Sequence, residues 1–397
     1  MPTTGANSGT TPIGNGLRVA VDARPLTTSR AGVATYCRGL LYGFGLLPAG
    51  EAPSLRLYAK EAAPEPLPTF VGSWRAMPAP LWLPLAVPRA LLAGHVDVFH
   101  GPNHMAPPWS PVPTVITAHD LSALTMGGLH TWRNRLLTVP QMLLSLRRAE
   151  RLIAVSRATA SDLLRLPGID AERVRVIYEA AAPGLTPATP EQVRALSHRL
   201  ALPETFFLFL GALEPRKNVV TLVRALAELY AAGDHRAKLV IAGAEGWRND
   251  DVYDEVKKRG LERDIRFAGY IPAEDLPALY GAATAFVYPS LFEGFGLPPL
   301  EAMACGTPVI CSNTSSLPEV VGDAAITVDP LDTSDLAAAL RTALDDADLR
   351  ARLSHAGLQR AALFSWERTA RETLEVYREA AGERRRLVGG SEMRVGA

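Results

Sequence analysis

Cysteine and lysine are scarce in this chain, and net charge is absent. The three cysteines, Cys37, Cys305 and Cys311, are odd in number and show no C-x-x-C spacing, which argues against a disulfide framework or structural zinc and fits a reducing cytosol. The 41 basic and 41 acidic residues cancel, so no global field draws the protein to nucleic acid, and any anion site must be local. Only five of the basic residues are lysines, Lys60, Lys217, Lys238, Lys257 and Lys258, so a lysine at a special position is slightly more informative than usual. Residues 1–16 have neither a basic nor an apolar region and read as a loose tail, not a signal peptide. Prolines and charges break the Leu81 to Leu92 stretch, and there is no uninterrupted apolar span of membrane length. A soluble, cytoplasmic protein is expected. No G-x-G-x-x-G follows a predicted strand and G-x-x-x-x-G-K-[ST] is missing, which disfavours an NAD oxidoreductase and a P-loop ATPase. There is no D-x-D in a suitable loop and no internal repeat, and no cofactor or metal is expected.

What is present is a chain of 397 residues, too long for one ordinary core and suited to two domains. Short apolar runs alternate with longer helical patterns in both halves, as in α/β folds whose parallel sheets are covered by helices. Strands are predicted at Leu17–Val21, Leu55–Tyr58, Val96–Phe99, Thr114–Thr117, Leu152–Val155 and Val174–Ile177, then at Phe206–Leu210, Leu239–Ala242, Ile265–Ala268, Ala285–Tyr288, Val309–Cys311 and Ala325–Val328. Each half reads as Rossmann-like, with boundaries at 17–185 and 186–365. Ala180 to Pro190 is rich in Ala, Pro, Thr and Gly and reads as a hinge. Trp366 to Ala381 has helical periodicity, with residues 385–397 as a polar tail.

Glu293 and Glu301 are separated by seven residues and flank a Gly294-Phe-Gly296 turn. The run Ala285–Tyr288 reads as a buried strand, the glycines allow a sharp turn, and Pro298 and Pro299 fit a first helical turn, where a missing N–H costs nothing. A strand, a glycine loop and a helix N-terminus result, with free amides suited to phosphate. Glu301 is expected within the first turn, where the helix dipole favours a carboxylate that accepts hydrogen bonds from hydroxyls. With its Gly-Phe-Gly-Leu-Pro core, this segment resembles the signature of the retaining family-four glycosyltransferases. That resemblance implies the GT-B fold, two Rossmann-like domains facing a central cleft. It implies that Glu293 faces the donor sugar's hydroxyls, that Glu301 holds the ribose diol, and that the amides of Phe295, Gly296 and Leu297 meet sugar and phosphates. It covers roughly residues 17 to 384. It also implies that the terminal helix, residues 366–384, crosses back to the first domain; periodicity alone equally allows a plain last helix of the second.

Further residues fall at the carboxyl ends of predicted strands, where parallel sheets bind ligands. Gly211-Ala-Leu-Glu-Pro-Arg-Lys-Asn218 carries two adjacent cations. Arg216 offers a planar fork for phosphate oxygens and Lys217 a mobile charge. The segment also matches the family's G-x-x-x-x-R-K-N element, which places Gly211, Arg216 and Lys217, with Tyr270, among the donor-binding residues. In the first half Gly32 precedes a helix, and the loop reads either as a second phosphate-facing surface or as a tight strand-to-helix connection. It departs from the family, which often has paired glycines where this chain has Ala31-Gly32 and a basic residue in place of Thr35. His100 and His119 end strands, a position where histidine is usually a packed polar residue. The resemblance places His119 beside the donor's anomeric carbon, with Asp120 near the acceptor hydroxyl, and leaves His100 and Asn103 to line the acceptor side.

Leu129 to Arg151 mixes large apolar residues with five arginines and is interrupted by Pro140. It reads as a core-facing helix or as a basic amphipathic helix in peripheral contact with an anionic membrane, which suits a lipid-linked acceptor. The expected activity is metal-independent transfer of a hexose from a nucleotide diphosphate sugar to a saccharide or lipid-linked acceptor, with retained configuration. GDP-mannose is the first expected donor and a UDP-sugar the second, by likeness to bacterial mannosyl-transferring members that build surface polysaccharide. A nucleotide-sugar epimerase of the same fold and a non-catalytic nucleotide-sugar sensor are the alternatives.

Overall fold

The structure is a computed structural model that describes residues 16–28, 32–62, 71–77, 81–125, 132–243 and 250–392. Most of the tail expected at 1–16, and residues 393–397, lie outside it.

The described strands form two sheets. The first contains β1 (Arg18–Asp22), β2 (Ser54–Ala59), β3 (Val71–Ala76), β4 (Val98–Gly101), β5 (Thr114–Ala118), β6 (Arg151–Ala154) and β7 (Val174–Val176), in the order β3-β2-β1-β4-β5-β6-β7. The second contains β8 (Phe206–Leu210), β9 (Lys238–Ala242), β10 (Ile265–Gly269), β11 (Ala285–Tyr288), β12 (Val309–Ser312) and β13 (Ile326–Val328), in the order β10-β9-β8-β11-β12-β13. All pairs of the second sheet are parallel, as are those from β3 across to β5. The apolar run Phe206-Phe-Leu-Phe209 is buried throughout, as a central parallel strand covered on both faces must be. It packs with β9, β11, β12 and the helix Val219–Ala231 into one large core.

In both sheets the order reverses in the middle, between β1 and β4 and between β8 and β11. There the connections leave in opposite directions and open a crevice at the strands' carboxyl ends. Gly211 to Lys217 follow β8 and Pro289 to Gly296 follow β11, so this topology alone brings the two predicted motifs together.

By contact the chain divides into two compact units, residues 1–117, 141–153 and 367–397 in one and residues 118–140 and 154–366 in the other. In the first, the last helix, Trp366–Glu392, packs Ala370, Leu374, Tyr377 and Ala380 inward, and Glu379 pairs with Arg151 at 2.9 Å. This helix runs on through residues 385–392, which sequence reading assigned to the tail. Glu-Arg-Arg-Arg-Leu contains only good helix formers and no proline.

Sequence reading also missed β3. Val71-Gly-Ser-Trp-Arg-Ala has no apolar run, and it forms a strand at the sheet edge in which no residue is buried. The helix Trp132–Arg148 continues through Pro140, where an interruption was expected. The hinge segment has neither strand nor helix until Pro190, where a Thr189–Gln192 capping box starts the next helix.

Candidate active site

The cationic turn is fixed before its side chains act. Pro215–Lys217 forms one 3₁₀ turn, and Asn218 follows in the left-handed region at φ +58°, a conformation asparagine tolerates better than most residues. Its Nδ2 donates to the carbonyls of Pro289 (3.1 Å) and Pro330 (2.7 Å). The Arg216 carbonyl accepts from the Leu291 amide at 2.8 Å and from Ser290 Oγ at 3.1 Å. The turn after β8 is thus bolted to the loop after β11.

On this frame Glu293 lies between both cations. Its Oε1 accepts from Lys217 Nζ at 2.7 Å and Ser290 Oγ at 2.5 Å, and its Oε2 from Arg216 Nη1 at 3.0 Å. Arg216 Nε donates to Glu214 at 2.9 Å, and Lys217 also meets the Tyr288 hydroxyl. Lys217 and Glu293 are each 7% exposed, so this is a buried ion cluster. Burial pushes the Glu293 carboxyl up, but the charges of Lys217 and Arg216 outweigh it and hold the group below the usual range. Burial lowers Lys217 even with Glu293 alongside. Arg216 is raised, since burial is outweighed by Glu293, Tyr288, Glu214 and Asp120. No described residue meets Arg216 Nη2.

Beside this cluster runs the glycine loop. A Cβ on Gly294 would lie 1.7 Å from the His119 carbonyl oxygen, so only glycine allows the loop to touch the end of β5. Gly296 has φ +112° and caps the helix Leu297–Ala304. Phe295 turns inward, 4% exposed, against Tyr178 and Phe364 at ring-centre distances of 6.0 and 5.8 Å. The Ser316 hydroxyl lies within hydrogen-bonding distance of the carbonyls of both Glu293 (3.0 Å) and Phe295 (2.7 Å). With side chain and carbonyls so engaged, the amides of Phe295, Gly296 and Leu297 donate to no described residue. Pro298 and Pro299 have no N–H, so these amides are the anion-binding capacity of the helix start.

Glu301 is the fifth residue of that helix and not in its first turn, a correction to the sequence reading that follows from the helix starting only after Gly296. The dipole is not its main support. Its carboxyl meets the Tyr280 hydroxyl at 3.3 Å and the Ala182 amide. Burial pushes it up to about 7 against these two hydrogen bonds, and the negative charge of Glu179 adds to the rise.

His119 follows β5. Its Nδ1 lies 2.9 Å from Glu179 Oε1, and its carbonyl accepts from Thr159 Oγ1 at 3.0 Å, which also reaches the Gly294 carbonyl at 3.1 Å. Asp120 Oδ1 accepts from the amide and hydroxyl of Ser122 at 3.0 and 2.6 Å, starting the helix Ser122–Thr125. Its charge is still felt by Arg216.

Of the predicted residues, His119, Asp120, Gly211, Arg216, Lys217, Tyr270, Glu293, Gly294, Phe295, Gly296, Leu297 and Glu301 all belong to the second unit, and Gly32, His100 and Asn103 to the first. Tyr270 is 57% exposed. Gly32 opens the helix Gly32–Leu46 with open space at its Cβ position. Asn103 is exposed and bonds its neighbour His104 at 3.1 Å. His100 is corrected: it is fully buried, with Nε2 on Thr117 Oγ1 at 2.8 Å and Nδ1 on the Tyr377 hydroxyl at 2.7 Å. A ring satisfied at both nitrogens inside a core does not line an acceptor surface.

Sequence reading gave no role to Glu179, Ser290, Tyr280, Tyr288, Thr159 or Ser316. Glu179 alone left a signal, as the one charged residue between Arg175 and Glu191. Among the described residues no group of three or more His, Cys, Asp or Glu is placed to hold a metal ion.

Two doubly wound sheets, the second carrying a cationic turn and a glycine loop at its switch point, define the GT-B class. The chain belongs to the glycosyltransferases, matching the family Glycosyl transferases group 1 over residues 196–360 and Glycosyltransferase Family 4 over residues 49–181. It is 38% identical over 283 residues to O-antigen chain mannosyltransferase B of Escherichia coli, covering 71% of this chain and 74% of that one. It is 33% identical over 279 residues to the serotype-specific mannosyltransferase WbdA of Escherichia coli, covering 68% of this chain but 33% of that longer protein. Sucrose-phosphate synthase from Thermosynechococcus elongatus superposes with a TM-score of 0.74 at 24% identity, over 91% of this chain and 98% of that one, and shows the shared fold.

Proposed function

We propose that this glycosyltransferase moves a hexose, mannose from GDP-mannose in the first instance, to a saccharide or lipid-linked acceptor in polysaccharide synthesis, with retained configuration and without a metal. The observation that carries the reading is the Arg216–Lys217–Glu293 cluster beside three unengaged amides. As the bond between the anomeric carbon and the phosphate oxygen breaks, charge grows on the diphosphate, and Arg216, Lys217 and the amides of Phe295, Gly296 and Leu297 are preorganised to receive it. Glu293 orients the cations and offers the remaining acceptor site on Oε2 to a sugar hydroxyl, while Glu301 takes the ribose diol. His119 supports the sugar, with Asp120 nearby toward the acceptor. The acceptor oxygen bonds the anomeric carbon on the face the diphosphate leaves, and its proton passes to a phosphate oxygen. Incubating the protein in EDTA with GDP-mannose, UDP-sugars and a mannose-terminated acceptor tests this. A product with the donor's anomeric configuration supports it; an inverted product, or epimerised donor without acceptor, refutes it.

Glu301 gives the reading a pH signature. A ribose diol donates to a carboxylate, so donor affinity rises as pH passes upward through about 7. Stability moves the other way. The folded carboxyl is raised above its ordinary 4.5, so the folded state holds the proton longer, and its contribution is lost as pH rises from 4.5 through about 7. Glu301→Gln therefore melts higher than the parent at pH 8 but not at pH 4, and binds GDP weakly at both. Equal melting of parent and variant at pH 8 would contradict the assignment.

The same proposal includes peripheral contact with an anionic membrane by the first unit. No described helix is long and apolar enough to cross a membrane. Leu144, Arg147 and Arg148 are exposed on the helix Trp132–Arg148, and Arg148 bonds the Pro108 carbonyl, next to Trp109 at 57% exposure. Arginine, leucine and tryptophan together suit a lipid interface. Flotation with phosphatidylglycerol vesicles should recover the protein in a salt-sensitive way; no recovery at low salt rejects the contact.

A further inference from the structure

His119 is clamped twice. Its backbone is held by Thr159 and packed on Gly294, and its ring is held by Glu179 at 2.9 Å. Glu179 is 3% exposed, and no other described residue hydrogen-bonds its carboxylate. A buried carboxylate with one partner is costly. A carboxylate oxygen accepts, so this contact favours the tautomer with the proton on Nδ1 and makes Nε2 the other edge of the ring.

We propose that Glu179 is a positioning residue for the transfer step: through Nδ1 it fixes the tautomer and plane of His119, whose Nε2 edge then supports the donor sugar as its bond to the diphosphate breaks. This rests on the role given to His119 above. A third group that holds a working imidazole in one tautomer is a recurrent arrangement in catalysis. Glu179 does not touch the nucleotide-binding groups, and its charge contributes to raising Glu301. Its removal therefore spares nucleotide affinity, or slightly improves it near neutral pH, while slowing the chemical step.

The test compares Glu179→Gln, Glu179→Ala and Glu179→Asp with His119→Ala. Turnover is measured with the sugar nucleotide that reacts fastest in the donor panel, and affinity with GDP. Glutamine accepts or donates through its amide and does not impose a tautomer. Glu179→Gln and Glu179→Ala should lower kcat by roughly 100-fold, with the Kd for GDP unchanged or lower, and Glu179→Asp should recover part of the rate. In proteins labelled with ¹⁵N-histidine, the His119 signal should report a protonated Nδ1 in the parent and a mixture of tautomers in Glu179→Gln. Parental kcat in Glu179→Gln alongside a slow His119→Ala overturns this proposal alone, as does an unchanged histidine spectrum. A parental rate in His119→Ala instead overturns the role of His119, and the proposal with it.

Discussion

Lys217→Ala is expected to lower turnover by roughly 10²- to 10³-fold, the effect of removing one preorganised donor from a developing anion. It also destabilises the ligand-free protein. Lys217 Nζ donates to Glu293 at 2.7 Å inside a buried cluster, and removing one partner of a buried ion pair costs roughly 3–5 kcal/mol. Here the cost falls toward the lower figure, because Arg216 and Ser290 still bond the carboxylate. The two effects separate in Lys217→Met combined with Glu293→Gln, which replaces the pair by neutral groups of similar size. Thermal melting of that variant should return close to the parent, while turnover stays low. Recovered turnover would show that the lysine charge is not used in catalysis.

Gly294→Ala is expected to abolish activity with a methyl group. The added carbon would sit 1.7 Å from the His119 carbonyl oxygen and 2.5 Å from its carbon, both backbone atoms that cannot rotate away. Overpacking of this kind costs about 1–3 kcal/mol and sometimes more. The larger effect is geometric. The glycine loop and the end of β5 separate, Thr159 loses the position from which it reaches both carbonyls, and His119 shifts from Glu293 and Arg216 together with its support. Steady-state rates and a melting curve check this. A folded Gly294→Ala protein of parental activity would mean that contact between the two segments is not needed.

These two residues also show how far the sequence could be read. Lys217 and Glu293 were legible because each sits in a local motif at the end of an apolar run, and the reversal of strand order between β8 and β11 brings such ends together. The glycine at 294 was legible as a turn residue, but the neighbour that requires it lies far away in the chain. Glu179 and Tyr280 enter the site from segments with no motif of their own, and Tyr288, though it ends the strand before the glycine loop, reads only as a buried strand residue, so tertiary structure alone assigns them partners. For His100 the residue type was a better guide than the resemblance. A histidine at a strand end is usually a packed polar residue, and Tyr377 from the last helix covers this one. Glu301 was found but set one turn too early, because the helix start depends on the conformation of Gly296. Edge strand β3 left no trace, since a strand with no buried residue does not need an apolar run.

The central claim is that a cationic turn and main-chain amides hold a sugar nucleotide's diphosphate without an ion. Titration calorimetry with GDP in excess EDTA tests it most directly. The account predicts saturable binding by the parent in EDTA, not strengthened by Mn²⁺, and weakened at least roughly tenfold in Arg216→Ala. Binding that appears only on adding Mn²⁺, or an Arg216→Ala protein with parental affinity, would contradict it.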